Sequence, residues 1–405
     1  MKPRKMCDSL LALLGFVAVA VYVLACRPSF SPDGSKIVFP SFDEDAKQAT
    51  VLCYDLRTKT LEKIYQTALV EKVREPEPPP KSDQKKEPEK PPAPFSLGSS
   101  SEQFFVSVQW LPDGKRIAVN GLSYVLTLPV ASPGPARLLQ LQNLLDSGTL
   151  MRPLPVQGKY QFIPDKEFLL RVNLETGEML AAPDKKEYML FGQGSQLYYL
   201  AAADIVEKPG SSESQPESVE IGKLNPETLA ASPLLKLKGE EQYGELTGYG
   251  AISRDGGRLA LTTKFSKTPK VLLFRDNKLE KTLTLAKEDS GITVGNVEWS
   301  ADGKTLYMAY AQEQDNAPCR YGILEAPVDG GNAREIQLFT ADSSDSWSAT
   351  FQVAISPNGR TLAISSTCFE KEDVKSEERA LYLVDLGSAA RNVTRVPAPH
   401  EVRNK

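Results

Sequence analysis

Histidine is almost absent from this chain of 405 residues. The single histidine, His400, lies in the C-terminal tail. The chain therefore offers neither an internal Ser-His-Asp triad nor a metal site with several histidines. The nucleophile elbow G-x-S-x-G is missing, since "GQGSQ" at 192–196 does not fit it, and so is the phosphate loop G-x-x-x-x-G-K-[ST]. We expect a protein with no catalytic centre and no cofactor.

An excess of positive charge is missing as well. Lysine and arginine number 48 against 52 aspartate and glutamate residues, for a net charge of −4. This balance gives no electrostatic footprint for nucleic acid, so we expect no nucleic-acid partner. Two segments collect acidic and hydroxyl oxygens, "FDEDAKQ" at 42–48 and "DSSDSWS" at 342–348. Neither has the ligand spacing of a calcium loop, and we interpret both as solvated loops.

The chain does contain one string five times. "FSPDGSKIVF" at 30–39 returns as "WLPDGKRIAV" at 110–119, "ISRDGGRLAL" at 252–261, "WSADGKTLYM" at 299–308 and "ISPNGRTLAI" at 355–364. Each copy has an apolar residue, a short polar stretch and a β-rich apolar run, which predicts a strand, a tight turn and a second strand.

The turn residues of the five copies are of one kind. A short Asp or Asn side chain can accept a hydrogen bond from the backbone two residues further on, and the glycine after it accepts a positive φ. We therefore predict structural roles in turns for Asp33, Gly34, Asp113, Gly114, Asp255, Gly256, Asp302, Gly303, Asn358 and Gly359.

A second strand pair follows several copies, as in "KVLLFRDNKLEKTLTL" at 270–285 and "ALYLVDLGSAARNVTRV" at 380–396. Together the halves predict a four-stranded antiparallel unit. Copies that begin at 252, 299 and 355 are 47 and 56 residues apart. A four-stranded repeat of about that length is typical of a propeller blade.

The repeated string resembles the TolB-like, or WD40-like, β-propeller repeat, although the Gly-His and Trp-Asp pairs of true WD40 repeats are absent. The resemblance implies an all-β propeller. The chain length that remains without two insert-like segments predicts about seven four-stranded blades, with six or eight left open, and the apolar N-terminal run predicts one helix before them. A β-sandwich of repeated hairpins is the alternative fold. Trp110 and Trp299 precede their turns and are expected to fill seams between blades.

The propeller is predicted to span 27–397, followed by a C-terminal tail at 398–405. Within it, the segment 71–94 is rich in proline, lysine and glutamate and predicts a disordered insert. The segment 204–218 predicts a loop insert. Two middle blades, at 160–180 and 194–229, lack the full turn motif, but "NLETG" and "NPETL" resemble the turn between a blade's outer strands.

The N-terminus predicts a signal peptide or membrane anchor over 1–26. A basic leader precedes the apolar run Leu10–Ala25, which ends in Val23-Leu24-Ala25-Cys26. This ending resembles a bacterial lipoprotein signal and makes Cys26 a candidate lipid-attachment site. An uncleaved span and a plainly cleaved signal remain open. In each case the propeller is expected outside the cytoplasm, in the cell envelope.

The other cysteines carry weaker predictions. Cys53 lies in an apolar strand, where a buried thiol is expected. Cys319 and Cys368 each lie between the second and third strands of the last two blades, on one face of the ring. An oxidising compartment would permit a disulfide between them, although we favour two unrelated thiols.

These patterns favour an envelope-anchored monomer that is a non-catalytic protein-interaction scaffold and binds a protein held near the bilayer. The alternatives are a small-molecule or carbohydrate sensor, or a carboxylate-based lyase or hydrolase working in the propeller channel. The residues lining the channel discriminate between these. Clustered carboxylates and aromatics favour the alternatives, and Glu298 is the one inner-strand carboxylate evident near the motif.

Overall fold

The computed structural model shows an all-β protein built from seven four-stranded antiparallel sheets. It describes residues 27–43, 48–68, 105–121, 124–130, 136–140, 155–164, 169–182, 186, 188–193, 196–207, 214–238, 245–264, 268–288, 290–314, 317–341, 352–367 and 379–397. The predicted N-terminal helix, the 71–94 insert and the C-terminal tail lie outside these residues. In the part that is described, no helix is long and apolar enough to cross a membrane.

Each sheet uses four strands that are consecutive in the sequence. Blade 1 contains β1 Ser29–Phe30, β2 Lys36–Asp43, β3 Gln48–Asp55 and β4 Thr60–Ala68. Blade 2 contains β5 Phe105–Trp110, β6 Arg116–Gly121, β7 Tyr124–Pro129 and β8 Arg137–Gln140. Blade 3 contains β9 Val156–Gln157, β10 Tyr160–Pro164, β11 Leu169–Asn173 and β12 Met179–Ala181.

Blade 4 contains β13 Tyr188–Gln193, β14 Gln196–Glu207, β15 Ser214–Leu224 and β16 Ala231–Lys238. Blade 5 contains β17 Glu245–Ile252, β18 Arg258–Lys264, β19 Lys270–Arg275 and β20 Lys278–Thr284. Blade 6 contains β21 Ile292–Trp299, β22 Thr305–Gln314, β23 Ala317–Pro327 and β24 Arg334–Ala341. Blade 7 contains β25 Ala354–Ile355, β26 Thr361–Ser365, β27 Ala380–Asp385 and β28 Val393–Pro397. The prediction of about seven blades is confirmed.

The repeated string forms the turn between the first and second strands of blades 1, 2, 5, 6 and 7. In blade 1, Asp33 accepts hydrogen bonds from the Ser31 hydroxyl at 2.6 Å and the Ser35 N–H at 3.0 Å. Gly34 adopts a φ of +69°, as the motif requires. The other four motif glycines have φ between +65° and +73°. One local turn geometry therefore explains why the string recurs.

Blades 3 and 4 replace this turn with shorter connections between their first two strands, 158–159 and 194–195. Their outer turns match the sequence interpretation. Asn173 accepts the N–H of Glu175 at 2.9 Å in "NLETG", and Asn225 accepts the N–H of Glu227 at 2.8 Å in "NPETL". The weaker blades thus keep the outer turn when they lose the inner one.

The core consists of seven hydrophobic clusters, and each cluster joins two neighbouring blades. Trp110 packs with Val38 and Cys53 between blades 1 and 2, and Trp299 packs with Leu273 between blades 5 and 6. The predicted seam role of both tryptophans is confirmed. The seventh cluster joins blade 7 to blade 1, so the sheets form a closed ring.

One predicted loop is shorter than expected. The segment 204–218 was expected as a loop insert, but 204–207 and 214–218 lie in the paired strands β14 and β15, with Ile205 opposite Pro216. Only 208–213 lies outside the described residues. The polar composition of this segment hides a strand pair, because main-chain hydrogen bonds form with polar side chains as well as with apolar ones.

Candidate functional site

The central channel is the candidate site, because the inner strands of all seven blades converge on it. It encloses a cavity of about 550 Å³. Blades 1 to 7 contribute, in order, Ser29, Gln109, Gln157, Leu190, Tyr249, Asn296 and Gln352, among others. The turn residues Arg254, Ala301 and Pro357 line it as well, so the cavity reaches the face of the ring that carries the repeated turns.

One ion pair crosses the channel. Arg27 precedes β1 in blade 1, and its Nη2 lies 2.5 Å from Oε1 of Glu298 in the inner strand of blade 6. Blade 7 stands between the two blades in the ring, so this contact spans a full blade. The Glu298 side chain is 16% exposed and that of Arg27 is 41% exposed. Burial raises the pKa of Glu298, while the charge and hydrogen bond of Arg27 act in the opposite direction.

Neutral polar groups surround this pair. Tyr249 is buried, which raises its pKa to about 12, while a hydrogen bond with Gln352 and the charge of Arg27 act against that rise. Asn296 donates its Nδ2 to the carbonyl of Val353 at 2.7 Å and accepts the Val353 N–H at 2.8 Å. This double contact ties the inner strand of blade 6 to the start of blade 7 and fixes the strand that carries Glu298.

The opposite wall of the channel carries amides. Gln109 donates to Gln161 Oε1 at 3.2 Å, which joins blades 2 and 3. Gln157 donates its Nε2 to the carbonyl of Gln196 at 2.6 Å. Gln157 Oε1 is buried and has no hydrogen-bond partner within the described part of the chain. The channel therefore offers amide donors and acceptors on one side and a charged pair on the other.

This lining restricts the chemistry the channel can support. Glycosidic-bond cleavage by paired carboxylates needs two acids flanking one bond. Among the described lining residues, Glu298 is the one carboxylate, and its charge is already balanced by Arg27. The described residues contain no group of three or more metal-ligating side chains. The lining is therefore mixed: it has one carboxylate among the described residues, and it includes the aromatic residues Phe30, Phe191, Tyr249 and Trp299.

The residues predicted from sequence lie in several places. The ten turn residues lie where the first strand of a blade meets the second, with Gly359 among those lining the channel. Cys53 is buried, and burial raises its pKa to about 11, as expected for an inert thiol. The predicted position of Cys319 between the second and third strands of blade 6 is wrong, because Cys319 lies buried within the third strand, β23, opposite Ala341. Cys26 and Cys368 lie outside the described residues, so the lipid site and the disulfide stay predictions.

Sequence reasoning singled out Glu298 but missed its partner. Arg27 directly follows the predicted anchor and looks like a linker residue. Inner strands of two residues occur in blades 1, 3 and 7, so the short first strand does not single out Arg27, and no local signal in the sequence identifies the pair.

Comparisons with known proteins support the fold alone. No protein-family model matches this sequence. No curated protein matches it either. A putative 6-phosphogluconolactonase from Bacteroides uniformis is similar in structure, with a TM-score of 0.51 at 12% identity, covering 89% of this chain and 94% of its own.

Two further structures have comparable scores. The Cps50 (Swd1) β-propeller domain from Myceliophteria thermophila has a TM-score of 0.50 at 10% identity, covering 85% of this chain and 94% of its own. A chain of the mitotic checkpoint complex has a TM-score of 0.50 at 12% identity, covering 85% of each chain. The protein is thus a seven-bladed β-propeller, similar in fold to these structures.

Proposed function

We propose that the protein is a non-catalytic interaction scaffold, held in the cell envelope by its N-terminus with the propeller outside the cytoplasm. The observation that carries this proposal is the channel lining. Its one described carboxylate is neutralised by Arg27 from the same chain, and the remaining polar groups are neutral or belong to exposed turns. Such a channel lacks the paired acids of a lyase or hydrolase, and the ring leaves broad loop faces for a partner.

The β14–β15 hairpin of blade 4 extends from the end of its sheet opposite the turn between β13 and β14. The inner strand β13 begins at Tyr188, which pairs with Ala201. Beyond it, β14 continues for six residues to Glu207, a length of about 20 Å at strand rise. The outer strand β16 ends at Lys238 opposite Ser218, so the arm from 203 to 207 pairs with β15 alone within the described residues. A two-stranded arm with open edges offers main-chain groups to a partner strand.

The test is partner capture by the full-length protein in its own membrane. Proximity labelling is compared between the wild type and a variant in which an Asn-Gly turn replaces 204–217 and joins Ala203 to Ser218. We expect the fold to remain and specific labelling to fall at least tenfold, because the arm is removed without touching the ring. The matched control exchanges the Asp276-Asn277 turn of blade 5, whose φ values of +49° and +60° suit Asn-Gly, and should leave labelling unchanged. Unchanged labelling by the trimmed variant would contradict the role of the arm.

Location is tested separately. The protein should fractionate with membranes, and protease added outside the cytoplasm should digest the propeller. Cys26→Ser separates the anchoring modes: loss of lipid labelling with accumulation of precursor supports a lipoprotein, while unchanged mass and membrane retention support an uncleaved span. Recovery in the cytosolic fraction would refute the envelope assignment.

A channel sensor is the second candidate, because Gln157 lines a cavity of about 550 Å³ and its buried Oε1 has no hydrogen-bond partner among the described residues. Ligand pockets commonly have this size and a few convergent polar groups. Neutral sugars would suit the amide wall of Gln109 and Gln157. A thermal-shift screen with mono- and disaccharides tests this, and a shift that disappears in Gln157→Leu would support it over the scaffold.

A further inference from the structure

We infer that Glu298 is the base of a receptor for an arginine or lysine side chain, which Arg27 fills in the isolated protein and a partner's basic side chain fills by displacing it. This inference rests on the proposed scaffold function in one respect: it takes the natural ligand to be a side chain of a partner protein. The site itself is tested below with small molecules.

The two members of the ion pair are held very differently. Glu298 is the seventh of the eight residues of β21, and Asn296 anchors that strand to blade 7 through two backbone hydrogen bonds. Arg27 stands before the two-residue strand β1, and 41% of its side chain is exposed. The carboxylate is therefore part of a paired strand of the ring, whereas the cation belongs to a residue that lies outside the strands, two positions before β1. Glu298 therefore has the character of a fixed binding site, and Arg27 that of a ligand bound to it.

The surroundings of Glu298 favour an organic cation over the alternatives. Its carboxylate is largely buried, and a buried charge must be paired or protonated. A metal ion needs several oxygen or nitrogen ligands, and no such group exists among the described residues. Tyr249 and Gln352 add a neutral hydrogen-bonded pair beside the site. One carboxylate with neutral polar neighbours suits a guanidinium or ammonium group.

The cavity provides a route for such a group from outside. It extends from Glu298 to the turns of blades 5, 6 and 7 at Arg254, Ala301 and Pro357. Its volume of about 550 Å³ exceeds what one side chain needs, so a short peptide segment fits beside Arg27. A partner competes with a tethered occupant whose effective concentration is about millimolar. The displacement therefore demands a partner that also contacts the ring elsewhere.

The experiment uses full-length protein in detergent and two probes, N-acetyl-arginine amide and its neutral isostere N-acetyl-citrulline amide. Arg27→Ala empties the site. We expect this variant to melt at a lower temperature than the wild type and to recover with the arginine probe, with an apparent Kd at least tenfold lower than for the wild type. The citrulline probe should have no effect, because it lacks the charge.

Three variants make the result decisive. In Arg27→Ala/Glu298→Gln the arginine probe should lose its effect. Arg57→Ala removes an exposed arginine from the turn between β3 and β4, away from the channel lining, and should respond as the wild type does. If Arg27→Ala fails to fold, Arg27→Lys keeps a cation in place but holds the carboxylate less well, and it should still bind the arginine probe more tightly than the wild type. Equal binding of both probes, or rescue that survives Glu298→Gln, would overturn the receptor. If proximity labelling found no partner, the proposed scaffold function would be refuted, but the binding of the small probes to Glu298 would still stand on its own measurements.

Discussion

At the scale of single residues, the repeated turn combines a buried hydroxyl with an exposed acid. Ser31, Ser253, Ser300 and Ser356 are buried, and each donates its hydroxyl to the Asp or Asn two residues on, at 2.6 to 2.8 Å. Blade 2 has Leu111 in this position, and there Asp113 accepts from Arg116 Nε at 2.7 Å instead. The turn therefore needs an acceptor at the Asp position, whichever donor reaches it.

The pH dependence of stability follows from these acceptors. Hydrogen bonds from Ser31 and then from Ser35 lower the pKa of Asp33 to about 2. A depressed folded pKa stabilises the fold above the unfolded value of about 3.9, and that contribution is lost as the pH falls through about 2. Because Asp33 is exposed, solvent screening reduces the contribution to about 1 kcal/mol.

Asp33→Asn tests this directly, since Asn358 already serves the same turn in blade 7. At pH 7 the variant should unfold with a free energy about 1 kcal/mol below that of the wild type. The two proteins should converge as the pH approaches 2. Melting temperatures between pH 2 and pH 7 measure the difference, and a gap that stays constant over this range would contradict the assignment.

At the scale of elements, blades 4 and 6 share a packing arrangement of a glycine and a tyrosine on adjoining strands, which the amino-acid composition does not reveal. Gly222 in β15 and Gly322 in β23 each lie at a register shift against the fourth strand. Fully buried tyrosines, Tyr199 and Tyr310, pack on the two glycines from the adjoining strand. The missing side chain leaves room for an aromatic ring in a seam between blades.

Gly322→Ala should therefore destabilise the protein strongly. A Cβ there would lie 2.2 Å from the Ile336 carbonyl oxygen and 2.8 Å from the Tyr310 ring, and backbone cannot move away as a side chain can. We expect a loss of about 2 to 3 kcal/mol in the free energy of unfolding, as for other overpacked cores. Gly257→Ala is the control, because its Cβ would meet ordinary contacts at 3.6 Å, and it should change stability by less than about 0.5 kcal/mol. Equal melting temperatures for the two variants would contradict this account.

The elements that sequence predicts well are those with local signals. The five turns depend on residues within six positions of one another, and "NLETG" and "NPETL" likewise contain their own hydrogen bonds. The blade 4 hairpin was missed because its polar, proline-containing sequence resembles a linker. Its pairing of Val206 with Gln215 depends on main-chain hydrogen bonds, which composition does not encode.

At the scale of the whole molecule, the channel follows from closure of the ring. Arg27 and Glu298 are 271 positions apart, and only the meeting of blades 1 and 7 brings them together. Sequence analysis therefore predicts the number of blades but not the charged pair. The pair also reinforces closure, since it links blade 1 to blade 6 across blade 7.

Among the described strands none is exchanged between blades 1 and 7, so the contacts seen at this closure are made by side chains. Phe39 and Leu52 of blade 1 pack against Leu381 and Leu383 of blade 7. The buried Thr367 hydroxyl adds a hydrogen bond of 2.5 Å to the Pro40 carbonyl. Every other pair of neighbouring blades is also connected directly by the polypeptide chain. Blades 7 and 1 have no such connection, so their seam is the one that can open most easily.

Leu383→Ala and Leu272→Ala make a matched test of that difference. Leu383 lies in the closing seam and Leu272 in the seam between blades 4 and 5, and they are 5% and 3% exposed. Each truncation should lower the free energy of unfolding by about 2 to 4 kcal/mol. Only Leu383→Ala should also accelerate hydrogen exchange selectively in blades 1 and 7, because the terminal blades can open locally while blades 4 and 5 are held by both neighbours. The prediction would be contradicted if both variants accelerated hydrogen exchange in the same blades. It would also be contradicted if Leu272→Ala accelerated exchange in blades 4 and 5 alone, because the closing seam would then be no weaker than the others.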